Sequence, residues 1–166
     1  MIKKLSKKAS LLSALVLTMA LFAGCSNEKE NQKVADIEVK TIATKELQDK
    51  LSDDSWVVVD TRINDAFNGW KLDEVERGGH IKGAVDFSAN WLTVDSKDKE
   101  KTLDKALETK GIEKDKNIVL YDANGKDAKE VANYLSEKGY KNLYTYNVAD
   151  WAKDESLPME SYENYE

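Results

Sequence analysis

Two uninterrupted apolar runs, WVVVD at Trp56–Asp60 and NIVLYD at Asn117–Asp122, constrain the fold of this chain more than any other feature. A strand with one wet face alternates apolar and polar residues, so a run without alternation has to be covered on both faces. The covers are visible in the sequence. KTLDKALETKG places Leu103 and Leu107 one helical turn apart, with Gly111 beyond the end. KDAKEVANYLSEKG spaces Ala128, Val131 and Leu135 for one helix face and stops at Gly139. NLYTYN reads as a third strand, and IEVKTI alternates from Ile37 to Ile42 as a strand. Thr44 is placed to N-cap a short helix, KELQDKL, that carries Leu47 and Leu51 on one face. INDAF reads as a short helix, NGWKLDEVERGG as a loop with glycine hinges, and HIKGAVDFS contains a short strand. Strands alternating with helices imply parallel pairing and a three-layer α/β domain. The 166 residues suit about one such domain, and no internal repeat is visible.

The first residues have a different character. MIKKLSKKAS carries four lysines and no acid, and LLSALVLTMALFAG is apolar over 14 residues. That is short for a membrane span and suits the core of a secretory leader. Ala23-Gly24 before Cys25 resembles a bacterial lipobox. The resemblance implies a lipoprotein signal peptide over residues 1–24, lipidation of Cys25, and a flexible tether to residue 36. The alternative is an ordinary secretion signal that happens to contain a cysteine. On the lipoprotein reading the protein is extracytoplasmic and lipid-anchored to the cell membrane. Each buried CH₂ of the anchor contributes about 0.8 kcal/mol. Cys25 is the sole cysteine, so no disulfide closes within the chain. Without the four leader lysines, 21 Lys and Arg stand against 31 Asp and Glu, a balance of −10. Such a body argues against nucleic acid as a partner and against electrostatic capture of anionic substrates.

VVVDTR, then GGHIKGAVDFS, then IVLYD followed by VANYLSEKGYKNLYTY and a Trp, together resemble the rhodanese-like sulfurtransferase domain. The resemblance covers residues 37–155 and is nearest to the noncatalytic first domain of two-domain thiosulfate sulfurtransferases. It implies a central, mostly parallel five-stranded sheet flanked by helices, with residues 156–166 as a linker-like tail. In active members the loop after the IVLY strand reads C-x-x-G-x-R. Its cysteine becomes a persulfide, held by backbone N–H groups and a cationic side chain. Here the loop is Asp122, Ala123, Asn124, Gly125, Lys126 and Asp127. Asp122 stands at the cysteine position and Asp127 at the arginine position. Gly125 keeps the pattern, and Lys126 supplies one cation displaced by a residue. A carboxylate cannot accept sulfane sulfur. Like charges roughly 5 Å apart also repel by roughly 3 kcal/mol at an effective dielectric near 20, which disfavours thiosulfate.

Other residues carry two readings each. His80, the sole histidine, is either a base or metal ligand, or a structural residue that holds the GGHIKGA turn. Asp60 and Arg62 either bind a substrate carboxylate or form a buried pair fixing the strand end, the role the resemblance implies. DANGKDAKE has oxygen ligands but misplaces the glycine and final acid of a calcium loop. Asp122 as a phosphoryl-accepting nucleophile would want a second acid and Mg²⁺. Trp70, Trp91, Tyr144 and Tyr146 line a groove or pack as boundary residues. The expectation is a binding or accessory module without metal or cofactor, its degenerate loop pointing away from catalysis by this chain alone. Its recognition surface is formed by the 122–127 and 68–80 loops. Its partners are the membrane through Cys25, and a second rhodanese domain or another envelope protein. The alternative is the noncatalytic half of a thiosulfate sulfurtransferase whose catalytic domain is supplied in trans.

Overall fold

The computed structural model describes residues 38–162. The leader, Cys25, the tether to residue 36, Ile37 and the last four residues of the tail lie outside the described residues. The central sheet has five strands in the order β1-β6-β5-β2-β4, formed by Lys40–Thr41, Leu143–Asn147, Asn117–Asp122, Trp56–Asp60 and Val85–Asp86. Every pairing in it is parallel. This is the expected α/β architecture, with β5 and β2 in the middle because they are the two runs that need cover on both sides.

The pleat sends alternate residues of these runs to opposite faces. Val59, Ile118 and Leu120 join one core with Leu103 and Leu107 of α3 (Lys99–Thr109) and Val131 and Leu135 of α4 (Lys126–Glu137). Val58, Val119 and Tyr121 join the other with Leu47 of α1 (Thr44–Lys50) and Trp151 of α5 (Val148–Ala152). A short α2 (Asn64–Asn68) follows β2.

Local differences from the sequence reading have identifiable causes. Ala43, not Thr44, is the N-cap of α1, and it offers no side-chain bond. The Thr44 hydroxyl lies 2.9 Å from the Tyr146 hydroxyl instead, tying α1 to β6. HIKGAVDFS holds two short strands, β3 (His80–Ile81) and β4. A 3₁₀ helix at Ala89–Thr93 follows, opened by the Ser88 hydroxyl, which accepts from the Asn90 N–H. The described part of the 156–166 segment is packed against the domain. Leu157 is buried, and β7 (Met159–Glu160) pairs antiparallel with β3.

Candidate functional site

The strand-turn-helix from β5 to α4 builds the loop that the sequence singled out. Asp122 ends β5 with its side chain almost wholly buried. Gly125 adopts a left-handed backbone (φ 81°) and turns the chain back over the strand end. The Asp122 carboxylate then accepts three backbone N–H bonds. Gly125 N donates to Oδ1 at 2.6 Å, and Asp127 N and Ala128 N donate to Oδ2 at 2.7 and 3.2 Å. Between them, Lys126 N donates to Asn124 Oδ1 at 3.0 Å. The turn therefore forms an anion-binding nest at the head of α4, and the loop's own side chains take the four successive amides from Gly125 to Ala128. The sequence places Asn124 in this loop, and the structure gives it the role of acceptor for a loop amide. An Asn two residues before an amide that needs a partner is its signal.

Asp127 lies in the first turn of α4, half-buried beside this nest. Burial, and then the Asp122 carboxylate, push its carboxyl pKa above the ordinary value; Glu130 and Asp73 add to the shift and Lys126 opposes it. Asp73 belongs to the 69–79 segment, whose charge is thus felt at the 122–127 loop. Asp73 and its neighbour Glu74 both have positive φ, 55° and 61°.

Asp60 and Arg62 form the buried pair. Arg62 Nε donates to Asp60 Oδ1 at 3.0 Å and Nη2 donates to Oδ2 at 2.6 Å. The Arg62 backbone N–H adds a bond to Oδ1, and Nη2 also donates to the Gly79 carbonyl at 2.7 Å. Burial opposes the guanidinium charge, but Asp60 outweighs it and leaves the Arg62 pKa above its usual value. Asp60 holds Nε and Nη2 and so fixes the geometry, Nη1 is buried without a partner, and both groups are closed off from the surface. Next to them, burial and then Asp60 raise the Tyr121 phenol well above its ordinary pKa, and its oxygen accepts from the Ile81 N–H.

His80 is also structural in position. Its ring stacks on Phe67 at 3.8 Å, and Nδ1 lies 2.9 Å from the Phe67 carbonyl. A carbonyl only accepts, so Nδ1 carries the proton. Nε2 faces Glu160 Oε2 of β7 at 4.0 Å. Among the described residues no three His, Cys, Asp or Glu side chains come together as metal ligands would. The aromatic residues divide: Tyr146 is buried, Tyr144 packs on Trp56, Trp91 is half-buried, and Trp70 is 54% exposed. No described helix is long and apolar enough to cross a membrane.

A family model described as the rhodanese-like domain matches residues 43–152. Among solved structures, wild-type EanB superposes with a TM-score of 0.66 at 30% identity, covering 75% of this chain and 28% of EanB. EanB with ergothioneine covalently linked to a persulfide cysteine gives a TM-score of 0.67 at the same identity and coverage. The anaerobic ergothioneine biosynthesis enzyme from Chlorobium limicola, in complex with trimethyl histidine, gives 0.67 at 30% identity, over 76% of this chain and 29% of that one. The chain thus spans less than a third of the length of these relatives.

Proposed function

The chain belongs to the rhodanese-like domain family, and on that footing we propose that it is a noncatalytic binding or accessory module, held to the outer side of the cell membrane by a lipid on Cys25. The observation that carries the reading is the state of the anion nest. In a working sulfurtransferase loop of the C-x-x-G-x-R kind, the amides serve a thiolate or persulfide and the incoming anionic donor. Here the Asp122 carboxylate takes the Gly125, Asp127 and Ala128 amides and the Asn124 amide oxygen takes that of Lys126. An external anion would have to displace a buried carboxylate and then sit beside Asp127. No sulfur atom stands at this position to accept a sulfane.

The test is the cyanide-dependent formation of thiocyanate from thiosulfate. The protein gives no more than the blank; turnover well above it overturns the reading. The double substitution D122C and D127R, made with C25S to leave one thiol, places a sulfur where three amides point. It is expected to gain one sulfur atom by mass after incubation with thiosulfate. Absence of any adduct on a folded variant contradicts the idea that the nest is intact scaffolding. For the anchor, C25S alone moves the protein from the membrane fraction to the soluble one. A variant that stays with the membrane refutes lipidation at Cys25.

The short coverage of the relatives favours a second reading. EanB carries its persulfide within a chain of which this domain matches 28%. A domain of this kind serves there as one part of a larger sulfur-transfer protein, so a catalytic half supplied in trans is the alternative partner. Co-purification with a protein bearing a C-x-x-G-x-R loop distinguishes it from capture of an unrelated envelope protein.

A further inference from the structure

A concave, mainly apolar surface lies away from the 122–127 loop. It is a pocket of about 390 Å³ between the 3₁₀ helix and α3, walled by Trp91, Val94, Leu103 and Ala106. Its volume falls within the range of small-molecule sites. We propose that this pocket binds a small aromatic monocarboxylate, with the ring against Trp91 and the carboxylate on Lys99.

Three observations support this assignment. The walls are held in place before any ligand arrives. The Trp91 ring meets Phe87 edge-on at 5.4 Å, and Lys110 Nζ, itself paired with Asp86, sits 5.6 Å from the Trp91 ring centre. Lys99 Nζ donates to the Leu92 carbonyl at 2.9 Å, which ties the first turn of α3 to the 3₁₀ helix. The polar lining is asymmetric: Lys99 is its one charged member, beside the hydroxyls of Ser96 and Thr102, and no acid lines the pocket. The amine uses one proton on Leu92 and keeps two for a ligand. Lys99, Thr102, Leu103 and Ala106 lie at i, i+3, i+4 and i+7, so one helix face presents cation, hydroxyl and apolar wall together. The cation stands at the positive end of α3, where the helix dipole also favours an anion. With one cation and no acid in its lining, the pocket favours an anionic over a cationic aromatic.

The site does not depend on the role of the 122–127 loop, since none of those residues lines it. The test is titration of the full chain with 2-naphthoate, read by calorimetry and by the amide and indole NMR signals. Saturable binding is expected, with shifts centred on Trp91, Lys99 and Leu103. 2-Naphthol should bind about tenfold more weakly, and K99M should lose about tenfold more affinity for 2-naphthoate than for 2-naphthol, which shares only the loss of the Leu92 tie. A106W should fill the cavity and abolish both. K99Q replaces K99M if the latter does not fold. No saturation at millimolar 2-naphthoate overturns the proposal. So do shifts spread away from Trp91, or equal affinity in the lysine variants.

Discussion

Asp122 and Asp127 are both acids of one loop, five residues apart, and they are in different physical situations. Asp122 is buried yet receives three N–H bonds, so its charge is solvated by the backbone. Asp127 receives no such compensation, and burial first, then Asp122, with Glu130 and Asp73 adding to it, raises its pKa. An acid with a higher pKa folded than unfolded holds its proton more tightly in the native state. Its ionisation therefore opposes folding, and stability is lost as pH rises from the unfolded value, about 3.9, through the folded one. D127N removes that penalty while keeping the backbone N–H that serves Asp122. Its melting temperature at pH 7 should exceed that of the wild type, and the gain should vanish as pH falls below about 4. An equal gain at both pH values would show that the environment of Asp127 does not oppose its charge. The presence of two acids in this loop was legible in the sequence. The inward turn of Asp122 was not, because it depends on the left-handed backbone at Gly125.

At the scale of elements, the three inner strands of the central sheet were readable because they are long enough to show a pattern, while its edge strands β1 and β4 are two residues each. Trp56–Asp60 and Asn117–Asp122, strands of five and six residues, each hold four consecutive apolar residues. β3 and β7 are two residues each and show no period at all. The five residues of α5 are too few to display a helical face. What marks the β3–β7 contact is glycine, and only in three dimensions. Gly79 has φ 91°, and a Cβ there would stand 2.2 Å from the Glu160 carbonyl oxygen. Gly83 has φ 78° but open space around the same position. The two separate strain from close approach. G83A should cost about 1 kcal/mol, the left-handed penalty alone. G79A carries the same penalty and also pushes β7 off β3, so it should cost clearly more in urea denaturation and speed hydrogen exchange at Ile81 and Met159. Equal costs at the two sites would show that the β3–β7 contact has slack to yield.

At the scale of the whole molecule, the question is where the domain ends. The sequence places its only proline, Pro158, in a polar segment that looks like a connector. The structure uses that segment as a closing strap. Arg77 reaches across from the 69–79 loop and donates to the carbonyls of Trp151, Ala152, Asp154 and Leu157, at 2.7–2.9 Å. The Trp151 indole N–H donates to the Pro158 carbonyl at 3.1 Å, and so does the Lys82 backbone N–H at 3.2 Å. Leu157 is buried in the core that holds Tyr121 and Trp151. The strap ends with Tyr162 about 6 Å from the Phe67 and His80 rings. A chain ended after Asp154 keeps α5 but loses the Leu157 burial, about 2 kcal/mol, and several hydrogen bonds of about 1 kcal/mol each. Its unfolding free energy should fall by about 4 kcal/mol. R77A, which leaves the chain whole, should weaken the same region, with faster exchange at Leu157 and Lys82. A truncated chain that unfolds at the wild-type urea concentration would make residues 155–162 a bystander. A destabilised one makes them part of the domain, and the 68–80 surface then has the strap as one of its walls.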